Sequence, residues 1–175
     1  VGPDYIPGHA HADTLSFELS IFSHRVVVNS GTSIYGIGKE RNRQRGTFAH
    51  STVVVDNENS SEIWGGFRVA RRAKVYQIKN STQDKKTYLS ASHDGYKRLP
   101  GKPVHSRQWI FSEGLIEIID RISGKGSHNI DVVLPLHPDV IIIENKNNNI
   151  ILAVANNRIN IEFEGTGNIE IIIYV

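Results

Sequence analysis

Apolar and polar residues alternate one for one along much of this chain, and that period constrains the fold more than any other feature. In residues 15–21, Leu15, Phe17, Leu19 and Ile21 are interleaved with Ser16, Glu18 and Ser20. Successive side chains of an extended backbone point to opposite faces, so this stretch reads as a strand buried on one side. Ile159, Ile161 and Phe163 alternate with Asn160, Glu162 and Glu164 in the same way. β-Branched runs predict further strands at 26–28, 52–55, 69–78, 87–92, 107–111, 115–122, 130–136, 140–143, 150–154 and 169–175. Turn-forming residues separate them at 56–57, 80–81, 99–103, 112–114, 124–126, 145–149 and 165–167. No helix of ten or more residues competes. The pattern predicts an all-β fold, an antiparallel multi-stranded β-sandwich of stacked sheets.

With 175 residues, 39% of them hydrophobic and 22% charged, the chain suits one folded domain spanning 1–175. The formal charge of +2 gives no argument for a nucleic-acid partner. Positive charge is concentrated in 39–45 (KERNRQR) and 68–74 (RVARRAK), read as basic loops able to face an acidic polymer. The absence of cysteine excludes disulfides, thiolate metal sites and a cysteine nucleophile. No apolar run approaches the roughly 20 residues that span a bilayer. The sequence starts abruptly at a motif suited to an active site, which leads us to expect the C-terminal piece of a longer protein.

That motif is Gly8-His9-Ala10-His11-Ala12-Asp13. On an extended backbone, histidines two positions apart share a side, so His9 and His11 are expected to work at one place. Imidazole is a common metal ligand and transfers protons near neutral pH. Asn29 ends the next predicted strand and His50 enters the third, so His11, Asn29 and His50 are candidates to converge at strand ends. Asn is a weaker zinc ligand than Asp because it contributes no charge.

Five segments in order, GHAHADTLSFELS, VVVNSGTSIYG, RGTFAHSTVVVD, SSEIWGGFRVARRAKV and SHDGYKR, resemble the C-terminal β-domain of heparinase II/III-like polysaccharide lyases. The resemblance covers roughly the first two thirds of the chain. It implies a parent protein in which an N-terminal (α/α) toroid precedes the β-sandwich, with the active site in the cleft between them. The toroid is absent from this sequence. The implied reaction is β-elimination on an acidic, uronate-containing polysaccharide: a base removes the proton α to the carboxylate, and the leaving glycosidic oxygen is protonated. Groups that neutralise the carboxylate must stabilise the enolate-like transition state.

By the same resemblance, His9 falls at the active-site histidine that the β-domain contributes. His11 and His50 fall on two ligands of a supporting metal, commonly zinc, and Asn29 on a position usually held by a ligating Asp. Asp13 is a candidate to orient a histidine from behind. Tyr35 matches a tyrosine that approaches substrate, and Arg41 and Arg45 are candidates for binding uronate carboxylates through their guanidinium groups. Trp64 and Phe67 are read as core or interdomain packing, and His93 as structural. His24, His105, His128 and His137 carry no neighbouring motif. The family's principal acid/base tyrosine lies in the toroid, so the fragment alone is expected to be inactive, and the parent protein to be periplasmic or secreted. Two other readings stand beside the lyase: a non-catalytic carbohydrate-binding or structural sandwich in cell-envelope polysaccharide metabolism, and a cupin-like metal enzyme built on the His-x-His pair.

Overall fold

The structure, a computed structural model, describes residues 7–174. It is all-β, with several antiparallel sheets. The chain divides into two compact units: one takes in the chain up to Phe17 and from Asn29 to Pro135, the other Glu18–Val28 and Leu136 onward.

The second unit opens with the hairpin of β1 (Leu19–Ile21) and β2 (His24–Val27). The first unit then holds one short helix, α1 (Lys39–Arg45), before β3 (Val53–Val55) and the small hairpin of β4 (Ile63–Trp64) and β5 (Arg68–Val69). A four-stranded meander follows: β6 (Val75–Gln83), β7 (Lys86–His93), β8 (Val104–Ser112) and β9 (Leu115–Ser123). β10 (Ile130–Val132) returns to pair with β3. β11 (Ile141–Lys146), β12 (Asn149–Val154) and β13 (Asn157–Glu162) form a three-stranded meander in the second unit.

Turn chemistry fixes these registers. Asp84 and Lys85, between β6 and β7, both have positive φ, as do Asn147 and Asn148 between β11 and β12. Two successive left-handed residues make the turn whose twist matches flanking strands, and Asn and Asp tolerate that conformation best after glycine. The turn expected at 80–81 therefore lies four residues later. Asn80 and Ser81 are inside β6, paired with Leu89 and Tyr88.

Three other expectations are corrected. Of the strand expected at 15–21 only Leu19–Ile21 forms, because Leu15 has φ 60° and turns the chain. The basic run 39–45 is a helix rather than a loop; it starts after Gly38, and Gly46 closes it by donating its N–H to the Arg43 carbonyl. No strand forms among described residues 169–174.

In the first unit Val53, Val55 and Tyr96 form a fully buried cluster with Leu99 and Ile122 against it. The Tyr96 hydroxyl donates to the Val53 carbonyl at 2.7 Å, so the ring packs without leaving a buried polar atom unpaired. In the second unit β12 follows the period-two expectation, with Ile150, Leu152 and Val154 buried. Leu152 has no exposed surface. Leu152→Ala should lower unfolding free energy by about 2–5 kcal/mol, read from urea denaturation; no measurable loss would show that this face is not a packed core.

Candidate functional site

The histidine motif is not on a strand. His9 ends a single 3-10 turn, Pro7–His9, and is exposed, whereas His11 lies in irregular chain and is half-buried. The two imidazoles therefore do not share a strand face. What brings His11 into the structure is backbone pairing with the α1 end: Ala12 N–H donates to the Arg45 carbonyl at 2.8 Å. Arg45 Nε in turn donates to the Ala10 carbonyl at 2.9 Å, and the Thr47 hydroxyl to the Ala12 carbonyl at 2.7 Å. Each of residues 10 and 12 is thus fixed by a partner on the segment that leads to His50.

His50 follows the 3-10 turn Thr47–Ala49 and is completely buried. Its ring centroid is 5.2 Å from that of His11. Neither His50 ring nitrogen has a hydrogen-bond partner among the described residues. Burial is the main reason its pKa falls from 6.5 to about 4; Asp13 opposes that fall, His11 adds to it, and the Gln44 backbone contributes only a small upward pull. His50 is therefore a neutral imidazole with a lone pair free at neutral pH. The His11 pKa is lowered as well, first by burial, with Asp13 again opposing and Arg41 and Arg45 assisting. The Asp13 charge raises both values against that burial.

Outward from His11 the side chains form a continuous line. Thr32 Oγ1 is 3.3 Å from His11 Nε2, and Arg41 Nη1 is 3.5 Å from the same nitrogen while donating to Thr32 Oγ1 at 3.0 Å. The Arg41 guanidinium carbon lies 5.4 Å from the Tyr35 ring centre and 5.9 Å from that of Phe67, within cation–π range. Tyr35 meets the exposed His9 ring edge-on at 5.6 Å between centroids. Gly66 makes this packing possible. A Cβ there would run into the Gly36 carbonyl, and its own carbonyl accepts from Arg41 Nε at 3.3 Å. Tyr35 and Phe67 are exposed beside this buried arginine, and their sequence neighbours Ile34, Ile37 and Trp64 are exposed as well. Trp64 and Phe67, expected in core or interdomain packing, are 45% and 40% exposed and so are not core residues of this domain.

Two expected site residues are placed differently. Asn29 Oδ1 accepts the Gly31 N–H at 2.9 Å, closing a local turn, and no hydrogen bond or ring contact among the described residues links it to His11 or His50. From that segment the Thr32 hydroxyl comes within hydrogen-bond distance of His11 Nε2. Arg45 is fully buried, and it bonds the Ala10 carbonyl and, at 3.3 Å, the Arg68 carbonyl. It braces the histidine segment instead of presenting a charge to solvent. Arg41 is buried too. Among the described residues no three His, Cys, Asp or Glu side chains gather as a metal-binding group.

With this geometry in view, residues 1–173 match the family described as heparinase II/III-like, C-terminal. The chain belongs to that family. No curated protein and no solved structure matches it. The line from His9 to His50 is thus a feature of a heparinase II/III-like C-terminal domain, and its family description carries the class of a polysaccharide lyase.

Sequence reading missed a second polar cluster in this heparinase-like domain. His93 and His105 are directly opposite across β7 and β8, and Arg107 and Asp120 across β8 and β9. His93 Nε2 is 3.0 Å from His105 Nδ1, and His105 Nε2 is 2.6 Å from Asp120 Oδ1. The Gly95 N–H donates to His93 Nδ1 at 3.1 Å, so the His93 proton must sit on Nε2 and point to His105, which then donates to Asp120. Counting outward from a turn at 99–103 would set His93 opposite Trp109, so the sequence could suggest a shared face for His93 and His105 but not their direct pairing.

Burial holds the His93 pKa near 3, with the charges of His105 and Arg107 adding to the effect. Asp120 is pushed up by burial but carried below its ordinary range by hydrogen bonds from His105 and Arg107. Both folded values lie below their unfolded ones, so the unfolded chain takes up protons that the folded chain refuses. The histidine contribution is intact above pH 6.5 and is lost as pH falls toward about 3. The unfolding free energy measured across that range should fall steadily, by about 1.4 kcal/mol per pH unit at most, and His93→Phe should flatten the slope. An equally steep slope in the variant would exclude His93 as its source.

Proposed function

We propose that this chain is the β-domain of a lyase that cleaves an acidic, uronate-containing polysaccharide by β-elimination, and that His9 is its contribution to the reacting atoms. The observation that carries the reading is the unbroken line from exposed His9 and Tyr35 through Arg41 to the paired His11 and His50, on a chain of this family. His9 is exposed, so its imidazole can reach a bound sugar and exchange a proton at a ring nitrogen. Tyr35 offers a hydroxyl at the same surface, steadied from below by the Arg41 cation. The elimination needs no attacking water and no glycosyl-enzyme, unlike hydrolysis by paired carboxylates.

His11 and His50 suit a zinc ion chemically. Both are held toward the neutral form, and His50 has two buried nitrogens with nothing to bond. Zinc bound there would supply a fixed positive charge that organises the site. The residues' own part is to hold the Ala10–Asp13 segment against the Thr47–His50 segment. Asn29 adds at most a neutral oxygen, in agreement with weaker binding than an aspartate would give.

In the protein carrying both toroid and β-domain, His9→Ala should lower kcat on an acidic polysaccharide by about 10²–10⁴-fold, followed by unsaturated-uronate absorbance. The chain alone should give no absorbance rise. Full turnover in the variant would remove His9 from the reaction, and turnover by the isolated chain would show that it needs no second domain. His50→Leu should abolish zinc binding yet stabilise the metal-free chain by about 1–3 kcal/mol, because a buried unpaired polar ring is replaced by an apolar one. A loss of stability without zinc would mean that the ring has a partner. An acidic polymer as substrate would suit a protein in the periplasm or outside the cell.

One observation favours a second reading: Asn29 carries no charge and its oxygen closes a turn. In that reading the domain is a non-catalytic carbohydrate-binding or structural module. Binding of an acidic glycan by the two-domain protein with no elimination and no zinc would select it.

A further inference from the structure

We propose that Arg107 is a positioning residue for the imidazole pair, tying the chain just after His11 to the chain just after His50 while Asp120, His105 and His93 hold it in place. This rests on His11 and His50 acting together, and it adds the part that sets their separation.

The guanidinium is 1% exposed and its donors are divided between two tasks. Nη1 donates to the Leu15 carbonyl at 2.9 Å and to the Ser51 carbonyl at 2.6 Å. Leu15 is four positions past His11 and Ser51 is one past His50. Nε and Nη2 grip the two Asp120 oxygens at 2.7 and 2.8 Å. This is the planar, two-pronged pairing that guanidinium makes and an ammonium cannot. The remaining faces are apolar, with the guanidinium carbon 5.6 Å from the Phe17 ring centre and 5.9 Å from that of Trp109.

The backbone on the His11 side needs such a hold. Ser16 N–H donates to the Asp13 carbonyl at 2.9 Å, making a turn whose third residue, Leu15, has φ 60°. A branched side chain rarely adopts that conformation, and it persists only when surrounding contacts impose it. Arg107 takes the carbonyl of that same residue. On the other side, the Ser51 hydroxyl receives the Phe17 N–H at 2.8 Å and donates back to the Phe17 carbonyl. The two segments are thus bound to each other and to Arg107 within a few residues of both imidazoles.

A buried ion pair carries a large desolvation cost, and an apolar filler of equal volume serves stability as well or better. An apolar filler could not hold two carbonyls at a set spacing. That difference marks placement as the function of the group. The chain from Gly95 N–H through His93 and His105 to Asp120 then fixes the carboxylate that orients Arg107.

The test uses Arg107→Lys, which keeps the charge and loses the fork, with Asp120→Asn as a second variant. Two quantities are read in each: the ring ¹⁵N resonances of His11 and His50 without metal, and the affinity for Co²⁺ or Zn²⁺. Folding is followed by thermal melting. Both ring signals should shift in the folded variants while those of exposed His24 stay fixed, and metal affinity should fall about 10- to 100-fold, as for other supporting residues behind metal ligands. Unchanged ring signals and affinity in a folded variant would overturn the proposal. Should the wild type bind neither metal, the zinc reading fails, and the ring signals alone still decide the role of Arg107. Should neither variant fold, the wild-type Arg107 guanidinium protons decide it: slow exchange with contacts to Leu15 and Ser51 supports the clasp, and fast exchange overturns it.

Discussion

The Arg107–Asp120 pair is the interaction on which the first unit turns. It lies across β8 and β9, and it reaches out of the meander to the two irregular segments that carry His11 and His50. Those segments have little regular structure of their own, only two single 3-10 turns and a seven-residue helix. A loop-built site needs a rigid scaffold to give it shape. Here the scaffold extends into the loops through one guanidinium, while Arg45 and Thr47 make the complementary ties to Ala10 and Ala12.

The two buried arginines near the histidines have distinct duties, and neither is the exposed carboxylate receptor that their residue type invites one to assume. Arg45 braces backbone carbonyls. Arg41 sits under Tyr35 and Phe67 and beside His11, so its charge acts on the rings around it. The surface left to meet another molecule is aromatic and aliphatic, with His9 and Tyr35 as its polar members. A surface of that kind is apolar enough to favour being covered over facing bulk water.

Much of this was legible in the sequence, for reasons that differ by element. Strands β7, β8, β9 and β12 were visible as β-branched runs bounded by turn-forming residues, and β13 by its one-for-one alternation. The failures fall where local pattern and local conformation part. Leu15–Ile21 alternates well, but a left-handed Leu15 held by a residue 92 positions away overrides the pattern, and no window of neighbours contains that information. The KERNRQR run was read as a solvated loop because charge is a poor guide when guanidinium groups find carbonyls; as α1 it buries Arg41, Gln44 and Arg45. His9, His11 and His50 were found through motif and family resemblance, and the structure brings the last two together by a route other than a shared strand face. Asn29 was singled out by its place at a strand end and by family resemblance, and its side chain closes its own turn.

The order of elements along the chain has a temporal consequence. The first unit begins with residues up to Phe17, gives way to a hairpin of the second unit, and resumes at Asn29. During synthesis the stretch bearing His9 and His11 therefore emerges before the rest of this unit, and the guanidinium that clasps its end is made 92 residues later than Leu15. Closing so long a loop is slow compared with forming hairpins. The segment that carries His9 and His11 is made well before its clasp, so its Leu15 carbonyl waits for Arg107 until β8 has been synthesised.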